Sequence, residues 1–230
     1  MAENVAADLQ LRDVAVVTLL VGIEKALFNV HEELLFNASP VFKAALSGRF
    51  SEANTRSMEL PDDDVDTVER MVQWIYTKHL SLTAVTSDVT SSECYWQLAH
   101  LNTLADKYDI TALKNAIIDK MFELYLSLKR NPNVGKPPQP LLIQYIYSNT
   151  TETSAFRKAL VAWYDCGGVN MDWYKRPAAR RLLIELPEFA TDLAIAFALK
   201  LAFNEKNPFL SSSSDLHEKP TEKVNKDKAT

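Results

Sequence analysis

The segment Val14-Ala-Val-Val-Thr-Leu-Leu-Val21 constrains the fold more than any other stretch of the chain. It is β-branched and nearly all apolar, so it reads as a strand with almost no polar alternation to offer to water, and it is expected to be covered on both faces. After Gly22-Ile-Glu-Lys25 comes a second short apolar run, Ala26-Leu-Phe-Asn-Val30, and the two together predict a hairpin.

From Glu32 the pattern changes to helical spacing, with Leu34, Leu35 and Ala38 on one side, and this helix stops before Ser39-Pro40. Ser39 suits an N-cap, and Pro40 suits the first helical position, where its missing N–H costs nothing. A new helix is therefore predicted through Val41, Phe42, Ala45 and Leu46 to Ser47-Gly48. Ser57-Met-Glu-Leu60 reads as a short strand ended by Pro61. Asp62-Asp-Asp-Val-Asp66 then places carboxylates at a helix N-terminus, where they complement the backbone dipole. Val65, Val68, Met71, Val72, Ile75 and Tyr76 supply that helix's apolar stripe.

A polar loop (81–92) precedes a helix carrying Leu98, Leu101, Leu104, Ala105 and Tyr108; Asp109-Ile110-Thr111 breaks it, and Leu113, Ile117, Met121 and Leu124 continue on another. Residues 129–140, with four prolines and one glycine, read as a linker. A second helical block follows, roughly 141–149, 154–164 and 193–203, with Trp163, Trp173 and Tyr174 as large burial candidates. The tail from Ser211 is polar and free of aromatics, and is expected to be disordered. The fold class is α+β: a small sheet capped by helices, then an all-α extension.

Net charge is −5 and no Lys/Arg cluster falls on one predicted face, which argues against direct nucleic-acid binding. Cys94 and Cys166 stand far apart, a usage that fits a reducing compartment better than a disulfide framework or zinc module. The start has neither the basic nor the apolar region of a secretory signal, and the longest apolar runs are too short to cross a bilayer. A cytoplasmic or nuclear location is the expectation.

His31-Glu32-Glu33 has the composition of a metal or proton-relay cluster. No other histidine stands four residues away, so His31 reads instead as a helix-start residue packed near Asp13 or a backbone carbonyl, and the glutamates as first-turn residues. Asp62, Asp64 and Asp66 imitate the start of a calcium loop, but Thr67 holds the place of its glycine and Gln73 that of its bidentate glutamate. Helix capping by Asp64 is the simpler reading. No Gly-x-Ser-x-Gly occurs, and Gly135-Lys136 lacks the rest of a phosphate loop. The expectation is a protein that is not an enzyme and carries no cofactor or metal.

The order of Asp13-Val14 to Val21-Gly22, Phe28-Asn-Val-His31, Leu34-Leu35, Ser39-Pro-Val-Phe42, Phe50-Ser-Glu52, Met58 to Asp64 and Trp74-Ile-Tyr-Thr77 resembles the BTB/POZ domain in its filamentous-fungal form. Leu104-Ala-Asp-Lys-Tyr-Asp109 with Leu113 resembles that family's penultimate helix and turn. The resemblance covers about 12–128, a BTB/POZ domain; around it the residue pattern gives a short flexible segment 1–11, a linker over 129–140, a helical extension over 141–210 and a tail over 211–230. The resemblance also implies a non-enzymatic interaction module that self-associates as a homodimer or oligomer. About a dozen residues precede the first strand, whereas long-form members exchange an N-terminal helix and strand; the first helices are left as a surface for self-association. Where the family usually has glycine after Tyr-Thr, this chain has Lys78, expected to reshape the turn. Phe50-Ser51-Glu52 resembles the hydrophobic-x-Glu motif that BTB adaptors use against a cullin ubiquitin-ligase scaffold. The alternative is that Phe50 staples the loop to the core and Glu52 caps it. A BTB scaffold with no ubiquitin role is the second reading, and any client is unidentified.

Overall fold

The computed structural model describes residues 15–48, 51–82, 91–130, 138–165, 171–203 and 212–219. Packing divides the chain into two compact units, Met1–Thr77 and Lys78–Thr230.

The first unit is built on a three-stranded mixed sheet. Strand β1 (Val16–Val21) is central, with β2 (Ala26–His31) antiparallel on one side and β3 (Ser57–Leu60) parallel on the other. The β1–β2 turn requires a left-handed backbone at Gly22, φ 71°, where glycine carries no steric penalty. The parallel pairing needs a crossover, supplied by helices α1 (Glu32–Ala38), α2 (Pro40–Ser47) and α3 (Ser51–Thr55). Helix α4 (Val65–Thr77) follows and buries Val68, Met71, Trp74 and Ile75 at helical spacing. Phe42 and Leu35 are fully buried with Val17, Leu19, Val21 and Val30, each such side chain contributing roughly 2 kcal/mol.

One expectation about the sheet needs correction. Strand β1 is buried on one face only: Val16 is 42 % exposed, and Thr18 and Leu20 are half-buried. The register places Thr18 beside Asn29 and Leu20 beside Leu27. Thr18 donates to Asn29 Oδ1 at 2.9 Å, a polar pair that makes this a wetted face.

The second unit is helical: α5 (Ser91–Lys107), α6 (Thr111–Arg130), α7 (Pro140–Ser148), α8 (Ala155–Asp165), α9 (Met171–Lys175), α10 (Pro177–Glu185) and α11 (Pro187–Phe203). Trp163 of α8 is fully buried, with Tyr95 of α5 and Tyr125 of α6 edge-on to its ring at 5.4 and 5.2 Å. Such aromatic contacts add about 1 kcal/mol each beyond area burial. Helices α5 and α6 therefore share a core with the helices beyond residue 140, and the proline-rich stretch is not where packing divides. Composition marks a break in local structure there, but the Tyr95–Trp163–Tyr125 cluster joins the two sides.

Helix α5 ends with Asp109 left-handed, φ 51°; Ile110 N–H donates to Ala105 at 2.8 Å and Asp109 N–H to Asp106 at 3.1 Å, a Schellman termination. After α4, Lys78 likewise has φ 54°. The lysine adopts the left-handed conformation that favours glycine instead of reshaping the turn.

Part of the expected tail, 212–219, also differs from expectation, while 211 and 220–230 lie outside the described residues. Residues 212–219 form an ordered strap with a 3₁₀ turn, Ser213–Leu216, capped by Ser212 and packed on α6. Ser213, His217 and Glu218 find partners on α6, so low hydrophobicity did not prevent docking.

Candidate partner-binding site

The candidate motif lies between α2 and β3. Buried Ser39 caps α2, its Oγ accepting from Phe42 N–H at 3.1 Å, and Pro40 occupies the first helical position. Helix α2 ends at Gly48 in extended conformation. Phe50 lies outside the described residues. Ser51 opens α3, and half-buried Glu52 stands in its first turn, where the helix N-terminus favours a carboxylate. The motif thus borders a helix of its own that the residue pattern did not reveal.

The far end of α3 is tied down. Arg56 has φ 49°, pairs with Glu32 of α1 through Nη1, and accepts Thr18 N–H of β1 on its carbonyl at 3.0 Å. Helix α3 packs against α2 and leads into β3, with Arg56 tying its exit to α1 and β1.

His31 is the residue before α1 and makes no side-chain cap. Its partner is Tyr76 of α4, while Asp13 lies outside the described residues. The Tyr76 hydroxyl accepts His31 N–H at 3.0 Å and lies 2.6 Å from Nδ1. A phenol that accepts from the amide has its own proton for Nδ1, so the satisfied arrangement carries the imidazole proton on Nε2. This joins the end of β2 to α4 and leaves the imidazole a structural role.

Asp64 Oδ2 accepts from Thr67 N–H at 2.9 Å and from Thr67 Oγ1 at 2.7 Å, which caps α4. Among the described residues no group of three or more His, Cys, Asp or Glu side chains is placed to hold a metal ion. His100 packs between Trp96 and Tyr145, and His217 meets Asp119 at 2.7 Å. No described helix is long and apolar enough to cross a membrane.

The second unit holds a buried centre that the residue pattern did not single out. Arg157 of α8 is 5 % exposed; it donates to Thr150 Oγ1 at 2.9 Å, to the Tyr147 carbonyl at 2.5 Å and to Glu188 at 2.8 Å. Tyr147 in turn donates to Asp192 of α11 at 2.7 Å. Burial, then the Asp192 carboxylate, pushes the Tyr147 phenol up from its ordinary range. These groups lock α7, α8 and α11 together and stand apart from the Phe50-Ser51-Glu52 motif in the sequence. An arginine amid an otherwise apolar helical face was the available signal.

The family model described as BTB/POZ domain matches residues 9–123, half of the chain. No curated protein matches the chain.

Proposed function

The chain belongs to the BTB/POZ family and is a protein–protein interaction module, and from that premise we propose that it is an adaptor recruiting a cullin-type scaffold through Phe50, Ser51 and Glu52. The observation that carries this reading is the position of Glu52, in the first turn of an α3 that Arg56 anchors to α1 and β1. A carboxylate in the first turn of a short helix, two residues after an aromatic in the sequence, has the composition of an interface anchor and its polar rim. Truncating a desolvated aromatic anchor costs about 2 kcal/mol or more, enough to weaken a contact roughly thirty-fold.

The direct test is a pull-down with a purified cullin N-terminal domain, comparing the wild-type chain with Phe50→Ala and Glu52→Ala. Retention by the wild type and loss by both variants is the expected pattern. A wild type that retains no cullin defeats the reading.

A client would be held by the helical extension. Ile184 of α10 and Ile195 of α11 are 80 % and 52 % exposed, and an apolar groove between these helices is lined by Leu183, Ala190, Ala194 and Ala198. Exposed aliphatic surface of this kind favours protein contact over small-molecule chemistry. Affinity purification from the native cell, with and without Ile184→Glu, would show whether a bound protein depends on that face.

The second reading is a self-associating scaffold with no ubiquitin role. It is favoured by the open sheet face and turn of the first unit, where Leu27 is 68 % and Ile23 95 % exposed. Light scattering distinguishes it: a stable oligomer dispersed by Leu27→Lys, together with no cullin binding, is its signature.

A further inference from the structure

The strap 212–219 is held to the second unit in an unusual manner. The Asn115 carboxamide donates to the Glu218 carbonyl at 3.0 Å and accepts Glu218 N–H at 2.8 Å. A single side chain thus pairs with both main-chain groups of one residue, as a neighbouring strand would. That contact reads backbone and is indifferent to the side chain it holds.

Side chains around it supply the selectivity. One turn further along α6, Asp119 Oδ1 accepts from Ser213 Oγ at 2.6 Å and meets His217 Nε2 at 2.7 Å. Because the carboxylate only accepts, the His217 proton lies on Nε2. Lys114, 8 % exposed, contacts Glu218 Oε2 at 2.5 Å and Asp106 Oδ1 at 3.0 Å. Leu216 is the strap's buried apolar side chain. Beside the strap a polar cavity of about 450 Å³ is lined by Lys114, Thr153, Ser154, Lys158 and His217.

This is the pattern of a docked linear peptide: one apolar anchor, a backbone clasp, a few charged hydrogen bonds, and unfilled space alongside. Helices α5, α6 and α8 of the same unit meet in the opposite way, through buried aromatic side chains, Tyr95, Tyr125 and Trp163. We propose that this face of α6 is a peptide-recognition site, occupied in cis by Ser212–Lys219. Its partner in trans is a protein segment with a hydroxyl residue three positions before a leucine, followed by a hydrogen-bond donor and then a carboxylate. The chain's own Ser213, Leu216, His217 and Glu218 define that chemistry. While the strap is docked the site is closed; when it leaves, Asn115, Asp119 and Lys114 become available together.

The test uses the full-length chain and a fluorescein-labelled peptide of residues 211–220, Ser-Ser-Ser-Ser-Asp-Leu-His-Glu-Lys-Pro. Binding is read by anisotropy to the wild type and to a strap-released variant, Leu216→Asp. The peptide is expected to bind the released variant at least ten-fold more tightly than the wild type. Adding Asn115→Ala to that variant should remove most of the gain, and a peptide with aspartate in place of its leucine should bind neither protein. Failure of the peptide to bind the released variant overturns the site; equal binding to both proteins overturns its cis occupation. Should Leu216→Asp misfold, the double variant Ser213→Ala/His217→Ala releases the strap without touching its apolar anchor, and the same outcomes apply. Amide exchange gives an independent check: a Glu218 N–H that exchanges freely in the wild type overturns the docked strap.

Discussion

The guanidinium carbon of Arg157 sits 4.3 Å from the centroid of the Tyr147 ring, while one of its nitrogens donates to the carbonyl of that same tyrosine. The cation is thus stacked and hydrogen-bonded at once, inside a core where an unpaired charge would not be tolerated. Arg157→Ala would leave the Tyr147 carbonyl and Glu188 without this donor. A loss of about 2 kcal/mol is expected, from the buried carbonyl left without a donor, read by urea denaturation through tryptophan fluorescence. Arg157→Lys keeps the charge but loses the planar fork, and should recover less than half of that loss. Full recovery by lysine would mean that charge alone matters here.

Tyr95 carries its hydroxyl into the core with no hydrogen-bond partner among the described residues. Desolvation leaves that oxygen a liability, and its ring already packs edge-on to Trp163. Tyr95→Phe keeps the ring contact and removes the orphaned group, so the melting temperature should hold or rise, by about 1 kcal/mol of added stability. A clear drop on calorimetry would show that the hydroxyl is satisfied after all.

Burial holds the phenols of Tyr95, Tyr147 and Tyr164 above their ordinary value of 10.0. The folded chain therefore keeps protons that the unfolded chain releases. Their contribution to stability is complete below pH 10 and declines as pH rises above it. An absorbance titration at alkaline pH should show these three of the eight tyrosines ionising only as the second unit unfolds. Reversible ionisation of all eight with the helical signal intact would contradict this.

Lys78 holds a left-handed backbone, φ 54°, immediately after α4. A side chain in that conformation costs about 1 kcal/mol relative to glycine, so Lys78→Gly should be stabilising by roughly that amount. Lys78→Val, β-branched and worse suited to positive φ, should move the denaturation midpoint the other way.

Much of the first unit was legible because its signals are local. A β-branched run, a turn glycine and a proline after a capping serine each specify their own few residues, and Ser39 and Asp64 act on neighbours three positions away. The wetted face of β1 was hidden because it depends on Thr18 meeting Asn29 across the hairpin. Helices α9 and α10 carry little periodicity, since both are short and Arg176 separates them just before Pro177. The strap could not be read at all, as Ser213, His217 and Glu218 are explained by side chains about a hundred positions earlier on α6. Phe50-Ser51-Glu52 was visible only through family resemblance; nothing in its spacing sets it apart.

The parallel pairing of β3 with β1 dictates an order of assembly. The β1–β2 hairpin closes a loop of a few residues and can form within microseconds, but Thr18 meets Ser57 only after the three intervening helices have folded back. During synthesis the hairpin therefore emerges with one long edge unsatisfied, and Leu19 and Val21 wait for a neighbour that is still being made. The crossover helices act as a timer on the sheet. Slowing them, for instance by removing the Ser39 cap, should lengthen the interval in which that edge is open to another nascent chain.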